Sequence, residues 1–274
     1  MVWLRTSLFA KKCHWGNILQ DGIKLFISDV SHAKWIKNLS IEFNYLSGEN
    51  IRFAVQVEMQ NAEILALKLD TFFKFYFKAV SFSKKELVLP LPGLFLPFPS
   101  NTIQYGLYII TNKDNELLTR LISITSFCLI AAFENCVIDE ELLVTSAFYL
   151  HGTLFSYSEM LFEGNLNYLS FYDSEDSQSK KDVLDKSYLA EKYLENKQSL
   201  LEIKESLNNP NSLEFRASLP WLSEWLTAYE TIVKERMSKE IEIYLSMSNC
   251  INAQLGLSDN MKLLVYYFVS CAFN

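Results

Sequence analysis

The sequence predicts an α+β protein, a hairpin-based antiparallel sheet with a helical layer, in a single compact domain over 1–274. Three observations predict it. Strand-like alternation comes early in the chain, helix-length apolar periodicity fills the later part, and there is neither an internal repeat nor a linker flexible enough to separate two domains. With 274 residues, of which 50% are hydrophobic and 21% charged, the chain has ample material for a core and is not of the disordered class.

Residues 1–10 alternate around Val2, Leu4, Ser7 and Phe9 and predict a strand. Over 16–28 the apolar positions Ile18, Leu19, Ile23, Phe26 and Ile27 fall at helical spacing. A hairpin follows, in which SIEFNYL alternates, SGEN turns, and IRFAVQVEM alternates again. Its second strand sets Arg52, Ala54 and Gln56 on one face and Ile51, Phe53, Val55 and Val57 on the other. Residues 62–78 read as mixed, because TFFKFYF is dense in aromatics. PLPGLFLPFPS (90–100) holds four of the six prolines, which excludes a helix or a central strand and predicts a long ordered loop or an extended edge; its leucines and phenylalanines favour packing on its own domain over serving as a polyproline ligand. NTIQYGLYIIT predicts a short strand or turn. Helices are expected over 115–136, 141–162, 183–207 and 219–245, the last with Pro220 in its first turn. The polar run 173–182 reads as a surface loop, and NNPN (208–211) as a break. Ser258 or Asp259 is positioned to cap a final helix, MKLLVYYFVSCAF.

Several chemistries are excluded by what is missing. Lys plus Arg is 25 against 32 for Asp plus Glu, a net charge of −7, so nucleic acid is not an expected partner. There is no GxxxxGK[ST], GxGxxG or GxSxG, and only three histidines are present. Cys13, His14 and His32 come nearest to a metal-ligand cluster and lack a second half, so neither a metal nor a cofactor is expected. The N-terminal stretch is too short and interrupted for a signal peptide, and the apolar runs 121–133 and 263–273 are shorter than a bilayer span. The expected location is therefore the cytoplasm, away from membranes, with reduced thiols.

Four stretches, in order along the chain, carry a resemblance. They are the Trp3-Leu4-Arg5 strand, the hairpin FNYLSGENIRF (43–53), NTIQYGL (101–107) followed by Glu116 and Ser123, and YLSMSNCINAQLGL (244–257) before the last helix. Together they resemble the C-terminal, glutamate-eliminating domain of lantibiotic dehydratases. That fold family includes stand-alone thiopeptide biosynthesis proteins, among them the pyridine-forming [4+2] cycloaddition enzymes. The second resembles F-x-R-Y…G-x-H-L-R-L-R, the third E-x-x-R-Y-G-G, and the fourth H-M-x-x-N-R-L-x-G.

The departures from those motifs set the functional expectation. Arg52 matches the first arginine of the hairpin motif, but Ala54 stands where the second would be. Gln104 and Asn101 replace the arginine and the acid of the third motif, Ser248 stands at the histidine, and Ala253 follows Asn252 in place of arginine. Amides and hydroxyls neither titrate near neutrality nor hold carboxylates with two charge-assisted bonds. The resemblance then implies a pyridine synthase. Two dehydroalanines of a ribosomally made precursor peptide would undergo a formal [4+2] cycloaddition, and loss of water and leader peptide would leave a pyridine macrocycle.

Ser246, Ser248, Asn249 and Tyr105 are the expected catalytic hydrogen-bonding groups, and Arg52, Gln104, Asn252 and Ser123 the expected substrate-binding ones. The ordinary alternatives are helix capping at 246–252, strand packing at Tyr105, a solvated Arg52 and a small packed residue at Ser123. The expected partners are a leader-bearing, dehydrated precursor and other enzymes of the same pathway. A homodimer fits the apolar hairpin and helices without being required by them. Two rival functions stay open: a split lyase eliminating glutamate from glutamylated Ser or Thr, and a non-catalytic leader-binding module.

Overall fold

The computed structural model describes residues 1–29, 32–80, 98–110, 115–162, 185–208, 217–236 and 241–273. Most of the proline-rich stretch (90–97), the polar run 173–182 and residues 209–211 of NNPN lie outside the described residues. Two compact units are distinguished, Met1–Asp139 and Glu140–Asn274.

The first unit is built on an antiparallel sheet of strands β1 (Val2–Phe9), β2 (Asn38–Asn44), β3 (Asn50–Val57) and β4 (Thr102–Tyr105), in the spatial order β2-β3-β1-β4. The hairpin β2–β3 turns through Ser47 (φ 61°) and Gly48 (φ 113°), where SGEN predicts it. Asn50 holds the turn by donating its amide to the carbonyls of Asn44, Leu46 and Gly48. One face of the sheet carries Leu8, Leu39, Ile41, Phe43, Ile51, Phe53, Val55 and Val57, all fully buried. Three helical elements cover that face: α1 (12–28), whose middle Ile18–Lys24 is π-helical, α2 (Met59–Ala79) and α3 (Glu116–Phe133). Rings tie the layers together. Trp15 stacks on Phe43 at 5.0 Å, Phe43 reaches Phe133 at 5.6 Å, and Phe26 and Phe73 meet Phe53 at 6.1 and 5.8 Å.

Residues 62–78, mixed in the sequence, belong to a helix of 21 residues. Leu65, Leu69, Phe73 and Tyr76 recur at helical spacing and are buried. Ile64, Leu67 and Phe75 lie exposed on the opposite side and blur the period.

The helix α3 packs along β2, an outer strand of the sheet. The Ser123 hydroxyl accepts the Leu39 N–H at 3.0 Å and the Ser126 hydroxyl accepts the Ile41 N–H at 2.9 Å. Spaced three apart on one helix face, these hydroxyls satisfy two outward donors that an edge strand would otherwise bury unpaired.

The second unit is helical: α4 (Glu140–Phe162), α5 (Lys186–Asn208), α6 (Pro220–Arg236), α7 (Ile241–Leu255) and α8 (Asp259–Phe273). Helix α4 packs against each of the others. A Cβ at Gly152 would lie 2.9 Å from the Phe273 ring, so the missing side chain lets α8 approach α4. The Ser258 hydroxyl accepts the Met261 N–H at 3.4 Å and caps α8 as expected. The stretch expected as one helix over 219–245 is described as α6 up to Arg236 and as the start of α7 from Ile241. Residues 241–255 form α7, so Ser246, Ser248, Asn249 and Asn252 lie inside a helix and not in a polar break. The physical reason is that the inward pair among them has side-chain partners on neighbouring helices, which removes the competition with the backbone that normally sends Ser and Asn to helix ends.

Candidate functional site

The first unit's sheet has a second face, and its alternation makes that face polar. Cross-strand register sets Gln104, Ser7, Arg52 and Glu42 in one row across β4, β1, β3 and β2. The next row is Arg5, Ala54 and Ser40, and the third Trp3, Gln56 and Asn38. Arg5 therefore stands directly across from Ala54, the position where the resembling motif has its second arginine. The guanidinium missing from β3 is supplied to the same face by β1.

Tyr108 lies over this face, packed with Ala54, Ile110 and Trp3. The Arg52 guanidinium sits 5.0 Å from the centroid of the Tyr108 ring, and Arg5 donates to the Tyr108 carbonyl. Arg52 also pairs with Glu42 at 3.4 Å, their side chains 20% and 13% exposed. Burial pushes the Glu42 carboxyl above its ordinary range, with Arg52 opposing the rise. A carboxyl raised by desolvation beside a guanidinium is a common mark of a functional face. The face presents cationic and amide donors together with one carboxylate, a set suited to holding peptide carbonyls or a carboxylate.

Tyr105 points the other way. Being opposite Thr6, it lies on the helix-covered side, half exposed, and its hydroxyl donates to Asp70 of α2. Burial and Asp70 both raise its phenol, while Lys74 and Tyr105 hold Asp70 low.

In the second unit, Ser248 and Asn252 are four residues apart on the inward face of α7 and are both buried. They belong to a network that sequence reasoning did not assemble. Asn252 Nδ2 donates to Tyr266 Oη at 2.6 Å, Ser248 Oγ meets the same Oη at 2.8 Å, and His151 Nε2 meets Asn252 Oδ1 at 2.9 Å. Oδ1 can only accept, so His151 carries its proton on Nε2, and Tyr266 accepts from Asn252. Between the Ser248 and Tyr266 hydroxyls either can be the donor. Full burial lowers the His151 pKa to about 4, so the imidazole is neutral near pH 7. Ser246 is half-buried and Asn249 exposed, about 100° of helix turn apart per residue from Ser248. The structure thus joins Ser248 to Asn252 and leaves Asn249 outside that network. Nearby, α4, α5 and α8 border a groove of about 840 Å³ with Val144, Phe148, Leu264 and Phe268 in its wall and Glu140 and Glu141 among its polar residues.

Two residues of these sites carried a sequence signal that was legible only in part. Arg5 belongs to the Trp3-Leu4-Arg5 strand, but its relation to Ala54 needs the register. His151 stands alone in an apolar run, and its partner is 101 residues away.

No family model and no curated protein matches the sequence. Solved structures do match. The pyridine synthase TbtD from thiomuracin biosynthesis superposes with a TM-score of 0.72 at 17% identity, over 99% of this chain and 97% of that one. The tRNA-dependent lantibiotic dehydratase MibB from Microbispora sp. 107891 superposes with a TM-score of 0.58 at 10% identity, over 98% of this chain and 28% of that one. The α+β fold that the four motifs implied is the fold observed: this chain shares its architecture with a pyridine synthase and with part of a lantibiotic dehydratase.

Proposed function

We propose that this protein is a peptide-processing enzyme of thiopeptide-type biosynthesis, acting in the cytoplasm without a cofactor, and that its reaction is pyridine ring closure. The observation that carries the reading is the superposition over nearly the full length of both this chain and the pyridine synthase, joined to a polar sheet face lined with hydrogen-bond donors. One dehydroalanine with its amide in the iminol form serves as diene, a second as dienophile. Loss of water and leader peptide then gives the aromatic ring. Such a reaction asks chiefly that two ends of one chain be held together, and positioning supplies about 7–11 kcal/mol in favourable cases.

On this reading Arg52, Gln104 and Arg5 hold peptide carbonyls on the polar face. Ser248, Asn252, Tyr266 and His151 form a buried, preorganised hydrogen-bonding unit that holds in place the α7 segment carrying Ser246 and Asn249. Ser123 serves β2 in place of substrate. Ser246, Asn249 and Tyr105 are the more accessible hydroxyl and amide groups, and each is assigned a donor or acceptor role toward the peptide.

The test is direct. Purified protein is incubated with a dehydroalanine-containing precursor and the products are followed by mass and by pyridine absorbance. Formation of a macrocycle with release of leader supports the reading, and a peptide that stays linear at saturating protein refutes it. A second reading, glutamate elimination, is favoured by one observation, the two guanidiniums of Arg5 and Arg52 on one face, which could grip a glutamyl carboxylate. Loss of glutamate from a glutamylated peptide in the presence of this protein would establish it instead.

A further inference from the structure

Strand β1 is longer than the strand beside it. Strand β4 pairs with β1 only over Thr6–Phe9, while β3 pairs with all of Val2–Phe9. Gly106, at φ +69°, takes the chain away from β1 at the point where pairing ends, after its N–H has bonded the Arg5 carbonyl. Backbone groups alternate along a strand. The carbonyls of Arg5 and Phe9 both accept from the β4 side, from Gly106 and Asn101. On the other side, Gln56, which faces Trp3 across β1–β3, accepts from Lys37 beyond and so turns its own backbone groups away from Trp3. It follows that the Trp3 N–H and C=O point out of the sheet on the β4 side, in line with β4 and past its end. Among the described residues no partner reaches them. Beside this stretch lies a groove of about 330 Å³ lined by Trp3, Leu4, Arg5 and Thr6 of β1, Ala66 and Leu69 of α2, and the end of β4 at Tyr105 and Gly106.

We propose that this edge captures an extended peptide segment, which adds to the sheet as a short strand continuing the line of β4. The occupant is argued from complementarity of backbone groups: one donor and one acceptor on Trp3 suit one residue of an antiparallel strand, whatever its side chain. The neighbouring residue of that peptide lies opposite Leu4 and shares its face. Its side chain enters the groove against Ala66 and Leu69, so the site selects an uncharged aliphatic residue there. The inference rests on the peptide-processing reading for the source of the strand, which would be the precursor itself.

The test uses the full chain and fluorescence anisotropy with a fluorescein-labelled, capped peptide of alternating threonine and leucine. Two counterparts carry N-methyl groups, one on the threonine amides and one on the leucine amides. With leucine in the groove, the threonine amides face Trp3. Threonine methylation is expected to weaken binding about tenfold or more, and leucine methylation to leave it nearly unchanged. Ala66→Trp fills the groove from an exposed helix position and is expected to abolish binding with an unchanged melting temperature. Equal binding of the two methylated peptides, undiminished binding by Ala66→Trp, or no binding of the unmodified peptide at millimolar concentration would each overturn the proposal. No ring closure is read in this experiment, so its failure and the failure of the cyclisation assay are separate results.

Discussion

Single residues decide how the polar parts of this protein behave with pH. His151 is neutral and buried, and its folded pKa is about 4 against 6.5 in an unfolded chain. A depressed imidazole means that the unfolded state takes up the proton first. Stability is therefore complete above pH 6.5 and declines as pH falls from 6.5 toward 4, by up to ~3 kcal/mol from this group. Urea titrations at pH 7 and pH 4.5 measure the decline, and His151→Gln should shrink the difference between them. The pair Arg52–Glu42 allows a cleaner dissection. Arg52→Ala strands a largely buried carboxylate and should cost about 2–3 kcal/mol, less than for a fully buried pair because both groups retain some solvent. The double variant Arg52→Ala/Glu42→Gln should recover most of that stability. If Arg52 holds substrate, the double variant will be stable and still deficient in peptide turnover, which thermal melts and the cyclisation assay together resolve.

Secondary-structure elements are fixed by a few close approaches. At Gly16 a Cβ would lie 2.3 Å from the Cys136 carbonyl oxygen, a backbone atom that cannot turn aside. Gly16→Ala should force α1 off its seat and cost ~3 kcal/mol, visible as a lowered denaturation midpoint. The serine pair on α3 works by hydrogen bonding. Removing either hydroxyl leaves a buried strand N–H without its acceptor, so Ser123→Ala and Ser126→Ala should each cost about 1–3 kcal/mol. Peptide turnover per folded molecule should be unaffected in Ser123→Ala. A specific loss of turnover would return Ser123 to the substrate-binding group.

At this scale the sequence was most legible where one periodicity ruled. The hairpin showed its alternation and its turn. The helix over Met59–Ala79 did not, because exposed Ile64, Leu67 and Phe75 filled the face that should have read as polar. The 244–252 stretch misled for the opposite reason. Ser248 and Asn252 look like helix-end residues, yet they sit mid-helix because Tyr266 and His151 are their hydrogen-bond partners.

At the scale of the whole molecule, fold was easier to read than site. Fold follows from patterns distributed over many residues, whereas the polar face depends on which residues become neighbours across strands. Arg5 and Ala54 are far apart in sequence, and only the β1–β3 register makes them partners. The helix Glu116–Phe133 is long and apolar enough to cross a bilayer by composition, but 61% of it is buried within the fold, where it serves as a core helix against β2. None of the five cysteines is joined in a disulfide, so melting temperatures with and without reductant should coincide. A higher value without reductant would reveal a bond that forms on oxidation.

The two margins of the sheet are unequal, and this makes it directional. Hydroxyls of α3 close the β2 margin, so growth from that side is blocked. Any self-association through main-chain pairing would use the other margin of each molecule, giving closed pairs and not fibres. An engineer appending a strand or a reporter should work beside Trp3 and leave the serine-sealed flank alone.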